Sequence, residues 1–246
     1  MSTVTAPRRY VEHVMGLPFS LALRGRHAGD APGEAAWAAA LAVLRGADRT
    51  FSTYRADSVI SRMNRGVAVD TPPEVADVLA IGAAAERSSG GAFALRRDGV
   101  LDPSGVVKGW AAERAAIALA ALPDTDFCLS AGGDITCRTG DPAAAPWRIG
   151  IEDPRDPTRI VAVVPIRTGA VATSGIAHRG AHIVDARTGR APGGLASVTV
   201  VGRSLTAVDV DATAAFALGA DGERWLTTRG HRAAFVVRTD GTTGTL

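Results

Sequence analysis

The segment Phe127-Cys128-Leu129-Ser130-Ala131-Gly132-Gly133-Asp134 marks the place where the pattern of this sequence changes. Upstream of it, from about residue 14 to 122, Ala- and Leu-rich segments carry apolar residues at helical spacing. Downstream, from about 127 to 238, short β-rich runs are separated by turn residues. Helices gathered in one half and strands in the other predict an α+β fold rather than an alternating parallel sheet.

Individual elements follow from the same patterns. In the first half we predict a strand at 14–24 and helices at 35–49, 58–64, 73–89 and about 109–122. In the second half we predict one helix at 207–218 among strands at 127–131, 147–152, 160–166, 170–173, 181–184, 197–201 and 233–238. No internal repeat or long linker divides the chain, so we expect 1–246 to form one large domain or two intimately joined lobes.

The composition is that of an ordinary globular protein, with 46% hydrophobic and 21% charged residues. Twenty-seven basic and 25 acidic residues give a formal charge of +2 without a Lys/Arg block, so we predict no nucleic-acid partner and no membrane insertion. No apolar run approaches the roughly 18 to 20 residues that span a bilayer, and no cleavage site or lipoprotein signal follows the N-terminus. Cys128 and Cys137 favour inert thiols in a reducing compartment. We therefore expect a cytoplasmic protein.

The clearest candidate for chemistry is Asp209-Val210-Asp211-Ala212-Thr213 in the late helix. Residues four apart share one helix face, so Asp209 and Thr213 can offer carboxylate and hydroxyl oxygens to one cation. Magnesium suits these ligands, because water and substrate phosphate usually complete its shell. Asp211 lies about 200° around the helix from Asp209 and is left out of the site. Taken alone, Asp209 also fits an acidic residue that stabilises the first turn of a helix.

A second candidate is the segment 180–189, which we interpret as a strand that leads into a turn. Period-two alternation places His182 and Val184 on one face, with Asp185 at the strand end. His182 could then act as a general base or transient nucleophile, with Asp185 orienting it. The alternative is a structural histidine that is bonded to backbone, which is the commoner role of a lone histidine.

Three glycine-containing turns could bring backbone amides close to a phosphate or a flavin. They are 130–134 after an apolar strand, 101–109 with Lys108 at the start of a helix, and 172–175 at a hydroxyl-rich strand end. For the first of them, a Gly-Gly hairpin turn is the simpler explanation. None of the three has a dinucleotide-binding, NTPase, zinc-protease or α/β-hydrolase signature.

Taken in order along the chain, these motifs resemble the FAD:protein FMN transferase family, also called ApbE. The resemblance runs from Met15 to Gly219. Seven collinear segments carry it, namely 51–54 with 58–64, 90–93, 101–109, 131–135, 173–175, 182–189 and 209–219. This chain departs from residues that are common in the family at Leu17, Ala94 and Ala186.

The resemblance implies a single domain with an α+β fold of two intimately joined subdomains, FAD as the donor substrate and magnesium across its pyrophosphate. It assigns the metal to Asp209, Thr213 and a backbone carbonyl near Val106, and it assigns catalysis to His182 and Asp185. The residues that it assigns to binding of the flavin nucleotide are Met15, Tyr54, Asp102, Lys108, Ala131, Gly132, Gly133, Asp134, Thr173, Ser174 and His182. The acceptor that it implies is a Thr or Ser in an Asp-Gly-x-(Ser/Thr)-Gly-Ala-(Thr/Ser) motif of another flavoprotein.

The implied reaction cleaves FAD, releases AMP and joins FMN to the acceptor hydroxyl through a phosphoester. Two alternatives stay open on the sequence: an FAD pyrophosphatase, with water in place of the hydroxyl, and a flavin-binding protein without turnover. The tail 240–246 is itself similar to the acceptor motif. We expect this tail to be flexible, with inhibition through the acceptor groove as a further hypothesis.

Overall fold

The computed structural model describes residues 7–141, 143–177 and 183–246. Its helices are α1 (Ala31–Phe51), α2 (Val59–Asn64), α3 (Pro73–Ser88), α4 (Ser104–Ala120), α5 (Leu205–Leu218) and α6 (Gly222–Leu226). Its strands are β1 (Arg8–Val14), β2 (Leu17–Gly25), β3 (Arg96–Arg97), β4 (Val100–Leu101), β5 (Thr125–Ala131), β6 (Asp134–Arg138), β7 (Trp147–Asp153), β8 (Asp156–Ile166), β9 (Thr168–Gly175), β10 (Leu195–Gly202), β11 (Ala233–Arg238) and β12 (Thr243–Thr245). The α+β class predicted from the sequence is confirmed.

One antiparallel sheet of eight strands organises the molecule, in the order β1-β2-β5-β6-β9-β10-β11-β12. Two further hairpins, β3–β4 and β7–β8, lie outside this sheet. In the β5–β6 hairpin Ala131 pairs with Asp134, and β6 continues alongside β9 with Ile135 opposite Val171. This register brings the Gly132-Gly133 turn to the same end of the sheet as the end of β9.

The main hydrophobic core lies between one face of this sheet and the helices. Helix α4 packs against α1, α5 and β5, while α5 packs against β9 and β10. The large side chains in this core that are almost completely buried include Phe19, Leu119, Leu129, Val198 and Leu205. Each such burial contributes about 1.5–3 kcal/mol. The packing sets α4 and α5 side by side above the sheet.

A second, smaller core covers the opposite face of the sheet. The β7–β8 hairpin lies over that face, and its buried residues meet those of β6, β9 and β10 in a cluster of Cys137, Ile149, Ile166, Val171 and Val201. The hairpin therefore makes the strands between β6 and β10 a layer with apolar contacts on both sides. The all-buried pattern of β10 follows from this arrangement.

Two of the long helices begin at capping residues that can be recognised in the sequence. Asp30 caps α1, because its side chain accepts a hydrogen bond from the Gly33 backbone N–H (3.1 Å). Ser204 caps α5, because its hydroxyl accepts from the Ala207 N–H (3.2 Å). The capping fixes where α5 starts, three residues after the end of β10.

Most of the strand predicted at 14–24 is β2, but β2 begins only at Leu17, and an unpredicted strand, β1, precedes it in a hairpin. Met15 and Gly16 connect β1 to β2 with φ values of 54° and 69°. Positive φ at both central residues defines a tight hairpin turn, which usually has Asn or Asp before the Gly. Because Met15 stands at the first position, the sequence does not indicate this turn. Met15 is also a non-glycine residue in a left-handed conformation.

Other boundaries also differ from the prediction. Helix α4 begins at Ser104 rather than near Gly109, so Lys108 lies inside the helix and not at its start. The Ser104 N–H donates to the Asp102 carboxylate (3.0 Å), which supports the earlier start. Of the strand predicted at 181–184, the first two residues lie outside the described part of the chain, and Ile183 and Val184 are not in a strand.

The tail is an ordered edge strand and not a flexible terminus. Residues 243–245 form β12, which pairs with β11 at the outer edge of the large sheet. Three strands, β9, β10 and β11, separate β12 from β6. Within the described ranges, no helix combines the length and the apolar character that crossing a membrane requires.

Candidate functional site

A cleft of about 1010 Å³ opens where the ends of the sheet strands meet α4 and α5. The β1–β2 turn, the loop after α1, the β3–β4 hairpin and the end of β7 complete its walls. Most of the residues that the sequence singled out line it: Met15, Tyr54, Asp102, Lys108, Gly132, Gly133, Asp134, Thr173, Ser174, Asp209 and Thr213. The fold thus gathers residues from distant parts of the chain into one concave site.

Asp209 lies at the inner end of this cleft, on the second turn of α5. Its side chain is almost completely buried, and its Oδ2 accepts a hydrogen bond from the Gly109 backbone N–H of α4 (3.0 Å). Its Oδ1 lies 3.2 Å from the Lys108 Nζ. One turn further along α5, the Thr213 hydroxyl lies 3.1 Å from the Ser174 hydroxyl. Carboxylate and hydroxyl oxygens from α5 and β9 therefore converge.

Lys108 bridges two buried carboxylates. Its ammonium forms ion pairs with both Asp134 and Asp209. Burial lowers the pKa of Lys108, but the Asp209 and Asp134 charges outweigh this effect, so the net pKa lies above its usual value. Burial raises the pKa of Asp209, with the Asp134 charge adding to the rise and Lys108 opposing it. The lysine expected to face an anion is thus held by carboxylates of the protein.

Asp134 ties the glycine turn to the neighbouring strand. Its Oδ1 accepts a hydrogen bond from the Thr173 backbone N–H (2.9 Å), and its side chain is buried. Gly132 and Gly133 have φ values of 59° and 106°, which glycine adopts without strain. The simple hairpin-turn explanation for this segment is therefore correct, and the same turn lines the cleft.

Neighbouring residues of β9 point in opposite directions. The Thr173 hydroxyl lies 2.8 Å from the Thr199 hydroxyl on β10, whereas the Ser174 hydroxyl faces Thr213 on α5. Of these two β9 residues, only Ser174 can thus contribute a side-chain oxygen next to Thr213. Thr173 contributes through its backbone N–H, which holds Asp134.

Three of the predicted site residues that the structure describes do not line the cleft. Ala131 is completely buried behind the turn and does not line the cleft. The Val106 side chain is completely buried in the main core, although its neighbours Gly105 and Val107 line the cleft. His182 lies outside the described residues, so its role stays a prediction. Asp185 does not line the cleft.

Asp185 instead forms a local ion pair. Its carboxylate receives three hydrogen bonds from the Arg187 side chain, at 2.7 to 3.1 Å, and pairs with the Arg187 backbone N–H. Hydrogen bonding from Arg187 lowers the pKa of Asp185. The Ala186 N–H also donates to the Ala92 carbonyl (3.0 Å), which docks this loop on the turn after α3. A carboxylate with a lowered pKa is a weak base.

Two walls of the cleft could not be recognised from the sequence. The β3–β4 hairpin contributes Arg96 and Arg97, and the end of β7 contributes Gly150 and Ile151. These residues belong to short or exposed segments whose position depends on tertiary contacts. The sequence analysis left Asp211 out of the metal site. In the structure the Asp211 carboxylate is paired with Arg229 (3.0 Å) and does not line the cleft.

The donor set fits a hard cation better than a soft one. In residues 7–141, 143–177 and 183–246, no three His, Cys, Asp or Glu side chains form a group that could hold a metal ion. A site of Asp209, Thr213 and Ser174 oxygens offers only one carboxylate, which suits Mg²⁺ when phosphate and water supply further oxygens.

The fold and this site define an α+β protein with an oxygen-lined cleft suited to a phosphorylated ligand and a hard cation. The ApbE family model matches residues 15–96 and 94–236, and the chain belongs to the ApbE family. The family resemblance stated from the sequence is thereby confirmed.

Curated relatives are named FAD:protein FMN transferase. The protein from Rhodobacter capsulatus is 32% identical over 205 residues, which is 79% of this chain and 36% of that protein. The protein from Escherichia coli (strain K12) is 29% identical over 151 residues, which is 57% of this chain and 43% of that protein. In these comparisons the chain thus spans less than half the length of the relatives.

Solved structures of ApbE proteins share the fold. The ApbE protein from Thermotoga maritima has a TM-score of 0.84 at 22% identity, covering 97% of this chain and 96% of that one. The apo form of the flavinyl transferase ApbE from Pseudomonas stutzeri has a TM-score of 0.83 at 23% identity, covering 100% and 97%. Each of these two structural alignments thus covers at least 97% of this chain.

Proposed function

We propose that this chain is an FAD:protein FMN transferase. The observation that carries the proposal is the buried Asp209, held by the Gly109 N–H and Lys108 and accompanied by the Thr213 and Ser174 hydroxyls, inside a cleft large enough for a dinucleotide. Membership of the ApbE family and the names of the curated relatives support the same activity.

In the proposed reaction the oxygen of an acceptor Thr or Ser bonds to the FMN phosphorus of FAD. The bond from that phosphorus to the bridging pyrophosphate oxygen breaks, AMP departs with the bond electrons, and the hydroxyl proton passes to a base. The family resemblance assigns that base to His182. Asp185 is ionised and bonded to Arg187, so we propose that it holds the loop near His182 rather than taking the proton.

Asp209, Thr213 and a backbone carbonyl near Val106 would hold magnesium, and Ser174 is a further candidate ligand through its contact with Thr213. Magnesium bound there would neutralise charge on the pyrophosphate and on the departing AMP. Lys108 and the Gly109 N–H keep the Asp209 carboxylate in one orientation, so that this ligand is preorganised before substrate arrives.

The outer part of the cleft offers surfaces for the flavin and adenine rings. The Tyr54 side chain is 98% exposed at the mouth. Met15 belongs to the strained β1–β2 turn, which lies beside the glycine turn because the Gly132 N–H donates to the Pro18 carbonyl (3.0 Å). An exposed aromatic ring suits stacking on a planar heterocycle. Gly132 and Gly133 let a ligand approach the backbone closely.

The direct test supplies FAD, Mg²⁺ and a peptide with the acceptor motif, and follows the intact mass of the peptide. We expect the peptide to gain one FMN and AMP to appear in equal amount. Free FMN and AMP without a modified peptide would instead indicate a pyrophosphatase. FAD that stays intact would indicate a binding protein and contradict both enzymatic proposals.

Two aspartates of one helix provide a matched comparison for the metal assignment. Asp209→Asn should abolish Mg²⁺-dependent transfer, whereas Asp211→Asn should retain it, since Asp211 is paired with Arg229 away from the cleft. Transfer by Asp209→Asn with an unchanged Mg²⁺ requirement would refute the metal site.

The role of His182 is tested with donor and acceptor saturating. We expect His182→Ala to lower the transfer rate about 100-fold or more, as loss of a general base does, while FAD binding is retained. A near-normal rate would make His182 a structural residue. A cytoplasmic location and the Asp-Gly-x-(Ser/Thr)-Gly-Ala-(Thr/Ser) acceptor also stay predictions. Cell fractionation and the masses of flavin-labelled peptides would test them, and labelling of unrelated sequences would contradict the acceptor motif.

A further inference from the structure

Glu113 makes an unusual set of contacts for a helix side chain. It lies on α4 one turn after Gly109, and its Oε2 accepts hydrogen bonds from the Ser204 hydroxyl (2.9 Å) and the Thr206 backbone N–H (3.0 Å). The Thr206 hydroxyl donates to the same oxygen. All three donors belong to the start of α5, so one carboxylate oxygen of α4 binds the N-terminal turn of the neighbouring helix.

The charge of Glu113 matches its position. The N-terminus of a helix carries a partial positive charge from its free N–H groups. Helix α5 has no acidic residue of its own in the first turn, and its cap is the neutral Ser204. Glu113 therefore supplies from α4 the negative charge that α5 lacks.

The same two helices meet again at the metal-site aspartate. Gly109 and Glu113 are four residues apart on one face of α4, and Gly109 bonds to Asp209, three residues after Thr206. At a rise of about 1.5 Å per residue, the two ties are about 5 Å apart along α5. A helix is stiff over this length, so a shift of its first turn moves Asp209 as well.

We propose that Glu113 is a positioning residue, whose carboxylate fixes the start of α5 on α4 and thereby sets Asp209 in the cation site. The consequence for magnesium rests on the proposed function. The consequence for the position of α5 does not, and the two can be measured separately.

The test compares Glu113→Ala and Glu113→Gln with Glu223→Gln. Glu223 is a matched control, because it ties α6 to β11 through Arg238 (two contacts of 2.6 Å) and does not line the cleft. The first readout is hydrogen exchange of peptides that cover 105–112 and 203–212. The second is the midpoint of Mn²⁺ binding, followed by electron paramagnetic resonance without FAD. The third is transfer of FMN at varied Mg²⁺.

Glu113→Ala should speed exchange in both peptides and raise the Mn²⁺ midpoint about 10-fold or more, the usual effect of losing a group that orients a metal ligand. Glu113→Gln keeps an acceptor oxygen, so its exchange rates and its Mn²⁺ midpoint should lie between those of Glu113→Ala and the wild type. Glu223→Gln should change neither. In Glu113→Ala the Mg²⁺ concentration needed for FMN transfer should rise together with the Mn²⁺ midpoint. A raised KM for FAD without a change in that Mg²⁺ concentration would contradict the proposal.

The proposal is overturned if Glu113→Ala leaves exchange at 203–212 and the Mn²⁺ midpoint as they are in Glu223→Gln. Failure of the proposed function has a different signature. The wild type would then bind Mn²⁺ with the expected dependence on Glu113 and Asp209 but transfer no FMN. A wild type that binds no Mn²⁺ would overturn the cation part, while the exchange data would still decide the helix part.

Discussion

At the scale of single residues, Lys108 is expected to contribute strongly to stability. It is the counter-ion of the buried Asp134 and Asp209, and loss of one partner from a buried ion pair typically costs about 3–5 kcal/mol. Because the Lys108 side chain is 26% exposed, we expect Lys108→Met to cost about 3 kcal/mol, the low end of that range. Urea unfolding without divalent cations measures it.

The double variant Lys108→Met/Asp134→Asn provides the control. Removing the Asp134 charge together with the ammonium leaves Asp209 without a like-charged neighbour, so part of the lost stability should return. If the stability losses of Lys108→Met and Asp134→Asn simply add in the double variant, the ion pair between these residues does not stabilise the protein.

The two cysteines also allow a prediction at this scale. Cys128 and Cys137 are opposite each other on β5 and β6, and burial raises their pKa values to about 11 and about 12. At pH 8 both thiols are then protonated, so iodoacetamide should modify neither in the native protein and both after unfolding. Rapid alkylation of the native protein would contradict this.

The same pKa shifts have a consequence for stability. An unfolded thiol loses its proton near pH 8.5, whereas the folded thiols keep theirs to higher pH. Their contribution to stability is therefore complete below about pH 8.5 and falls as the pH rises toward the folded pKa values. Replacing both cysteines by alanine should remove this alkaline loss.

Site residues could be predicted from the sequence only where they lie close together in the chain. Asp209 and Thr213 are one helical turn apart, and that spacing is visible in any sequence. The partners of these residues are Gly109, Lys108 and Ser174, which lie 39 to 101 positions away in the chain, so no periodicity relates them. Only the family resemblance placed Lys108 and Ser174 in one site with them, and Gly109 was not predicted to belong to it.

At the scale of elements, the close approach of α4 and α5 depends on Gly109. A Cβ atom there would lie 2.9 Å from the Asp209 Oδ2 and 3.0 Å from the Leu205 carbonyl oxygen, which is too close. Gly109→Ala should therefore push the helices apart and cost about 1–3 kcal/mol, and it should raise the Mg²⁺ requirement. Thermal unfolding and Mn²⁺ titration measure the two effects.

Gly46 in α1 is the matched control for this substitution. A Cβ atom at Gly46 would meet nothing nearer than the Arg49 side chain at 3.9 Å. Gly46→Ala should therefore stabilise the protein by about 0.5–1 kcal/mol, because alanine costs less backbone entropy in a helix. If both variants are destabilised equally, helix contact is not the cause at Gly109.

The elements themselves were predicted unequally. The long helices were found because Ala- and Leu-rich periodicity and capping residues are local signals. Strands β6 and β12 were missed because they are short and largely polar, and their pairing with distant strands supplies what their own residues do not. The β1–β2 hairpin was missed because Met15 occupies a turn position that usually has Asn or Asp.

At the scale of the whole molecule, the sequence predicted the α+β class but not the order of strands. In the eight-stranded sheet β6 pairs with β9, although the β7–β8 hairpin lies between them in the chain. This pairing builds the floor of the cleft. Turn lengths and hydrophobic patterns do not specify which distant strands pair. The second core under β7–β8 is a consequence of that pairing and was equally invisible.

The second core makes the single-domain prediction testable. Ile149 on the hairpin is buried against the sheet that also forms the main core, so both cores share β9 and β10. Ile149→Ala should therefore cost about 2–5 kcal/mol and should shift one common unfolding transition. Far-UV circular dichroism and tryptophan fluorescence should give coincident midpoints in the wild type and in the variant. An early fluorescence transition in Ile149→Ala, with the dichroism midpoint unchanged, would show instead that the hairpin unfolds as a separate unit.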